Sequence, residues 1–124
     1  MKIFIVEDED ILLKVLKEKF ERESYQVALA TDGEMAFSLI QKFQPDMILL
    51  DLLLPKKSGF EVLEQIKSDP ALKTTPVIVL SNLGQDEDIK KALQMGADDY
   101  LVKTQHPINE VLDRVKERLM SKSR

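Results

Sequence analysis

Short apolar runs and longer amphipathic stretches alternate along this chain from end to end. The runs are IFIV (Ile3 to Val6), MILL (Met47 to Leu50), VIVL (Val77 to Leu80) and a weaker YLV (Tyr100 to Val102). Tyr25, Val27 and Leu29 alternate with Gln26 and Ala28, which predicts a strand with one wetter face. Strands that are apolar throughout are what a parallel sheet covered on both faces requires.

Between the runs the hydrophobic period becomes that of a helix. Leu12, Val15, Leu16, Lys19 and Phe20 form one stripe, with Lys19 as a snorkelling stem. Ala36, Leu39, Ile40 and Phe43 form the second, and Phe60, Val62, Leu63 and Ile66 the third. Ile89, Ala92 and Leu93 mark a fourth, and Val111, Leu112, Val115 and Leu119 a fifth. Pro45, Pro70 and Pro76 fall between elements, Gly96 stands where a helix should end, and Pro107 where one should begin. The reading is a single α/β domain: a doubly wound five-stranded parallel sheet flanked by five helices, spanning 1–120, with a polar tail at 121–124.

The chain has 124 residues, of which 44% are hydrophobic and 32% charged, enough for one ordinary globular core. A net charge of −4 argues against direct nucleic-acid binding or adhesion to anionic membrane. There is no cysteine, which removes disulfides, thiolate metal sites and a cysteine nucleophile. The opening MKIFIVEDED turns acidic too soon for a signal peptide, and MILL is far too short to span a membrane. A cytoplasmic location is the expectation.

In an open parallel sheet, ligands bind beyond the carboxyl ends of the strands. Glu7 and Asp8 follow the first run, Asp51 the third strand, Ser81 the fourth and Lys103 the fifth. The strand order 2-1-3-4-5 would bring Glu7, Asp8 and Asp51 into one crevice. Two like charges about 4 Å apart repel by roughly 4 kcal/mol at an effective dielectric near 20. So either a carboxylate pKa rises or a cation sits among them. All-oxygen donors select a hard ion, Mg²⁺ before Ca²⁺. With Lys103, such a site would be charge-balanced. A carboxylate beside Mg²⁺, a lysine and a hydroxyl is equipment for phosphoryl transfer to an aspartate.

These residues match a known pattern. Glu7–Asp8, Asp51 within LLDLLLPKKSGFEVL, Ser81 within PVIVLSN and GADDYLVK ending at Lys103 resemble the receiver domain of two-component response regulators. The resemblance covers essentially the whole chain. It implies Asp51 as phosphoacceptor, Asp8 and Asp51 as direct Mg²⁺ ligands, Glu7 as a ligand through water, and the Leu53 carbonyl as a further one. It implies Ser81 and Tyr100 as a switch pair and Lys103 as the phosphoryl-binding lysine. It implies a sensor histidine kinase or histidine phosphotransfer protein as donor, and an effector domain or protein as recipient. As in many relatives, it allows a phosphorylation-dependent homodimer through the fourth helix, fifth strand and fifth helix. The family usually places a cis proline after the lysine; here Thr104 stands there, and a non-proline cis bond costs about 3–4 kcal/mol, so a trans peptide is expected. Asn82 replaces a small residue, and Leu53 offers no polar side chain toward water.

Each residue has a plainer reading. Asp51 alone is a candidate helix cap, but Leu52 to Pro55 is a poor helix start. Glu9 and Asp10 read as helix-start acids, Lys56 and Lys57 as a solvated loop, and His106, the only histidine, as a surface loop residue. Tyr100 reads as a partly buried sheet residue whatever else it does. The functional reading is a phosphorylation-gated switch, not an enzyme acting on other substrates. A phosphatase using a DxDx[TV] nucleophile motif would carry its aspartate on the first strand. A flavin carrier would need a phosphate loop where EDED has the wrong sign. A receiver-like scaffold that is never phosphorylated is the alternative.

Overall fold

The computed structural model describes residues 1–123, with side chains described through residue 121. Ten elements alternate strictly: β1 (Lys2–Val6), α1 (Asp10–Arg22), β2 (Gln26–Ala30), α2 (Gly33–Phe43), β3 (Met47–Leu50), α3 (Gly59–Ser68), β4 (Val77–Ser81), α4 (Asp86–Gln94), β5 (Asp99–Val102) and α5 (Ile108–Ser123). The strands form one parallel sheet in the order β2-β1-β3-β4-β5. That is the expected doubly wound architecture. Since α5 runs to Ser123, most of the expected polar tail is helical, and Arg124 lies outside the described residues. No described helix is long and apolar enough to cross a membrane.

The continuous apolar runs are explained by two cores. Side chains alternate across a strand, so Phe4, Val6, Ile48, Leu50, Val77 and Val79 pack against α2, α3 and α4. Ile3, Ile5, Met47, Leu49, Ile78 and Leu80 pack on the opposite face against α1 and α5. The runs Ile3 to Val6, Met47 to Leu50 and Val77 to Leu80 are therefore apolar at every position.

Helix faces differ from the expected stripes in two places. On α1 the buried line is Leu13, Leu16 and Phe20, while Leu12 and Val15 only flank it. On α4 only Ala92 is buried, and Leu93 is 45% exposed. With one small buried side chain, α4 has the weakest hydrophobic hold on the sheet. Gly96 ends this region at φ +109, a conformation that L side chains rarely adopt.

The β3–α3 loop is held by close backbone approach. A Cβ on Gly59 would lie 2.2 Å from the Asp51 carbonyl oxygen, and one on Gly33 would lie 1.9 Å from the carbonyl of Lys57. Gly59 N–H donates to the Leu52 carbonyl at 2.9 Å, and Gly33 N–H to that of Pro55 at 3.2 Å. These two glycines seat the loop that follows Asp51 against α2 and α3. Gly59→Ala is expected to destabilise the domain by about 1–3 kcal/mol through overpacking. Leu93→Ala, on the exposed side of α4, should change stability by no more than about 0.5 kcal/mol. Urea unfolding of the two variants checks the contrast, and equal midpoints would refute it.

Candidate functional site

Strand register brings the site together. Val6 pairs with Leu50, so the next residues, Glu7 and Asp51, emerge side by side at the carboxyl edge of the sheet. Asp51 N–H donates to the Val6 carbonyl at 3.0 Å, extending the ladder to the acid itself. Ser81 pairs with Val102, which sends Lys103 out one residue later, its N–H on the Ser81 carbonyl at 2.9 Å.

Glu7, Asp8 and Asp51 each offer an oxygen, and these oxygens all lie within 4.8 Å of one another. Glu7 is 2% exposed and Asp51 3%, while Asp8 faces solvent. Lys103 reaches across from β5 and donates to Asp51 Oδ2 at 2.8 Å and to Glu7 at 2.9 and 3.0 Å. The remaining Asp51 oxygen, Oδ1, accepts the Leu53 N–H at 3.0 Å. This local turn sets the carboxylate's orientation and satisfies the polar loop that follows.

The electrostatics are unbalanced by design of the residues. Lys103 pairs with Glu7 and Asp51 but no ion pair joins it to Asp8, so the cluster of three acids holds more negative charge than one lysine can balance when they ionise. Burial dominates at Glu7, whose pKa is pushed up to about 7 despite hydrogen bonds from Lys103 and Glu9 N–H that favour its ionised form. Burial pulls the Lys103 pKa down, but hydrogen bonds to Asp51 and Glu7 outweigh it, so the ammonium stays charged. The all-oxygen acidic donor set fits a hard divalent cation, with Glu7, Asp8 and Asp51 as the groups that could hold it.

Ser81 is fully buried, and its Oγ lies 3.4 Å from the Leu83 N–H. Tyr100 is 9% exposed and donates its hydroxyl proton to the Leu83 carbonyl at 2.5 Å. Burial, then the charges of Asp88 and Asp51, pushes the Tyr100 pKa up to about 12, so the phenol remains a donor. An inward turn of this ring driven by charge on Asp51 is not needed to explain its place: the Leu83 acceptor and the apolar surroundings suffice.

The structure thus gathers Glu7, Asp8, Asp51 and Lys103 at one point, with Ser81 at the adjoining strand end. Leu53 meets Asp51 through its N–H, its side chain being 50% exposed. All described peptide bonds are trans, including Lys103–Thr104. Three participants were missed. Glu9, read as a helix-start acid, lies 3.4 Å from Lys103. The Leu83 backbone links Ser81 to Tyr100. The His106 ring, read as a surface loop residue, is turned back onto β5 at 3.1 Å from Val102. Only Glu9 left a trace in the sequence, as one more acid in the EDED run; the other two contacts run to main-chain atoms and have no side-chain signature.

Comparison with known proteins agrees with this geometry. The profile of the response regulator receiver domain matches residues 3–116. The chain is 37% identical over 115 residues to the alkaline phosphatase synthesis transcriptional regulatory protein PhoP of Bacillus subtilis, covering 93% of this chain and 47% of PhoP. It is 38% identical over 106 residues to a probable transcriptional regulator, ycf27, of Guillardia theta, covering 86% of this chain and 41% of that protein. The chain therefore spans less than half the length of these relatives. Among solved structures, the phosphorylated cyanobacterial phytochrome response regulator RcpA superposes with a TM-score of 0.85 at 33% identity, covering 98% of this chain and 94% of RcpA. By profile, sequence identity and strand order alike, this chain belongs to the receiver domains of two-component response regulators.

Proposed function

We propose that this domain is a phosphorylation-gated switch in which Asp51 accepts a phosphoryl group from a phosphohistidine donor. The observation that carries the reading is the buried Asp51 carboxylate, held between Lys103 and a cluster of acids suited to a hard cation. In the transfer, an Asp51 carboxylate oxygen attacks phosphorus, the P–N bond to the donor histidine breaks, and the leaving imidazole regains its electron pair and takes up a proton. The product is an acyl phosphate on Asp51, which water later hydrolyses to the carboxylate and inorganic phosphate.

Glu7, Asp8, Asp51 and the Leu53 carbonyl would hold Mg²⁺, with Glu7 acting through water. When bound, the ion neutralises phosphoryl charge and the excess acid. Lys103 exchanges its bond to Asp51 for phosphoryl oxygens. Ser81 supplies a hydroxyl donor from the end of β4. Since Ser81 Oγ and Tyr100 OH both engage Leu83, a pull on Ser81 bears on the loop leading to α4, the least embedded helix. Phosphorylation need only favour one of two existing arrangements, and a swing from mostly off to mostly on takes about 5.5 kcal/mol.

The output would pass through the face of α4, β5 and α5 to an effector domain or protein, with a phosphorylation-dependent homodimer through the same face. The donor would be a sensor histidine kinase or phosphotransfer protein, and the setting cytoplasmic. The only catalysis proposed is the domain's own phosphorylation and dephosphorylation, carried by a unit spanning 1–120.

A small phosphodonor such as acetyl phosphate is expected to label the wild-type chain only with Mg²⁺, and Asp51→Asn should abolish the label. Mass spectrometry reads this directly; undiminished labelling of the variant would refute the assignment.

Glu7 predicts a pH dependence. Its pKa is raised in the folded state from an ordinary 4.5 to about 7. The contribution to stability is therefore full below pH 4.5 and is lost as pH rises through about 7. Metal-free protein should weaken over that window, Glu7→Gln should flatten the trend, and saturating Mg²⁺ should oppose it. Denaturant titrations with chelator across this range check the sign. An unchanged slope in Glu7→Gln would show that another group is responsible.

A further inference from the structure

The segment that carries Lys103 has little packing to hold it. Thr104 and Gln105 are exposed, and Lys103, Thr104, His106 and Pro107 border an open cleft of about 310 Å³ whose other walls include Leu12, Leu80 and Asn82. The strand fixes the start of the segment, through Lys103 N–H on the Ser81 carbonyl. Beyond that bond, the geometry of the loop depends on what it makes with itself.

His106 supplies that closure. Its backbone N–H donates to the Val102 carbonyl at 3.1 Å, alongside Gln105 N–H at 2.9 Å. Its ring returns to the same residue: Nδ1 lies 3.1 Å from both the N–H and the carbonyl oxygen of Val102. Val102 is 5% exposed and belongs to the edge strand β5. Its N–H is not drawn to β4, where the flanking Lys103 N–H goes, so the ring is the acceptor in reach. On the far side of the ring, Nε2 faces Glu110 of α5 at 3.9 Å. In this orientation Nδ1 accepts from the Val102 N–H while Nε2 is directed toward Glu110.

We infer that His106 is a positioning residue for Lys103: its main chain and ring clasp both polar groups of Val102 and hold the intervening lysine where it spans Glu7 and Asp51. The inference deepens the phosphoacceptor reading and rests on it. Lys103 would meet the phosphoryl oxygens, while the proposed metal ligands come from other loops. Lys103 also bonds Glu7 and Asp51, so loss of the clasp should weaken phosphoryl binding without a matching loss of metal affinity.

The test uses beryllofluoride, a phosphoryl mimic, with and without Mg²⁺, in wild type, His106→Leu and His106→Asn. An Asn amide keeps a group that can accept from or donate to the Val102 backbone, whereas Leu keeps only bulk. His106→Leu is expected to lose roughly threefold to tenfold in beryllofluoride affinity, the scale of one net hydrogen bond. Its Mg²⁺ affinity should stay within about twofold on the same scale, and His106→Asn should recover most of the loss. In a Lys103→Ala background, His106→Leu should have no further effect, because the double-mutant cycle removes the partner being positioned.

Equal losses of Mg²⁺ and beryllofluoride affinity, a His106→Asn as weak as His106→Leu, or the same loss without Lys103 would each overturn the inference. If His106→Leu does not fold, His106→Gln replaces it, since the longer stem carries the amide past Val102; wild-type affinity in that variant would likewise overturn it. Failure of wild type to bind beryllofluoride in Mg²⁺ would instead strike the phosphoacceptor reading itself.

Discussion

Carboxylates are seldom found as deep as Glu7 and Asp51 unless something positive meets them, and here a single ammonium meets both. Lys103 comes from the last strand, crosses the mouth of β4 and bonds to acids that end β1 and β3. The remainder of the fold is arranged to make this bond possible. The parallel register puts the strand ends level, the two apolar faces bury the strands beneath them, and Gly59 lets α3 start close against the Asp51 backbone. The bond also leaves the site incomplete, because one ammonium cannot balance three acids. That residual negative charge is the physical reason the cluster could hold a divalent cation.

The same arrangement suggests how a local charge change reaches the surface. Ser81 and Tyr100 have no hydrogen bond to each other; both bind the backbone of Leu83, one at its N–H and one at its carbonyl. Leu83 stands just ahead of α4, whose one fully buried side chain is Ala92. The acidic site thus rests on strands buried on both faces, beside a helix with few buried side chains.

Much of the architecture was legible from hydrophobic period alone. IFIV, MILL and VIVL have the continuous apolar character of strands buried on both faces, and helical stripes between and after the runs pointed to a parallel α/β sheet, the strand order coming from the known doubly wound fold. The misreadings were of degree. On α1 the contiguous apolar residues Ile11, Leu12 and Leu13 left the centre of the buried face ambiguous, and packing selected Leu13. On α4, Leu93 has the right spacing for burial, yet it stays exposed while Ala92 is buried and Ile89 packs part-buried against the core. A stripe records which residues can be buried, not how close a helix comes.

The residue types and their places at strand ends were determined by the sequence itself, because alternation and helical period fix which residue follows each strand. Membership of the acidic cluster followed from that, as did the need for positive charge. Only the tertiary structure decided that Glu7 lies deeper than Asp8, that Lys103 is shared among Glu7, Asp51 and Glu9, and that His106 folds back on Val102. Depth, sharing and backbone contacts depend on distances between atoms far apart in the chain. No one-dimensional pattern encodes those distances, since the same side chain titrates and binds differently according to what the fold places beside it.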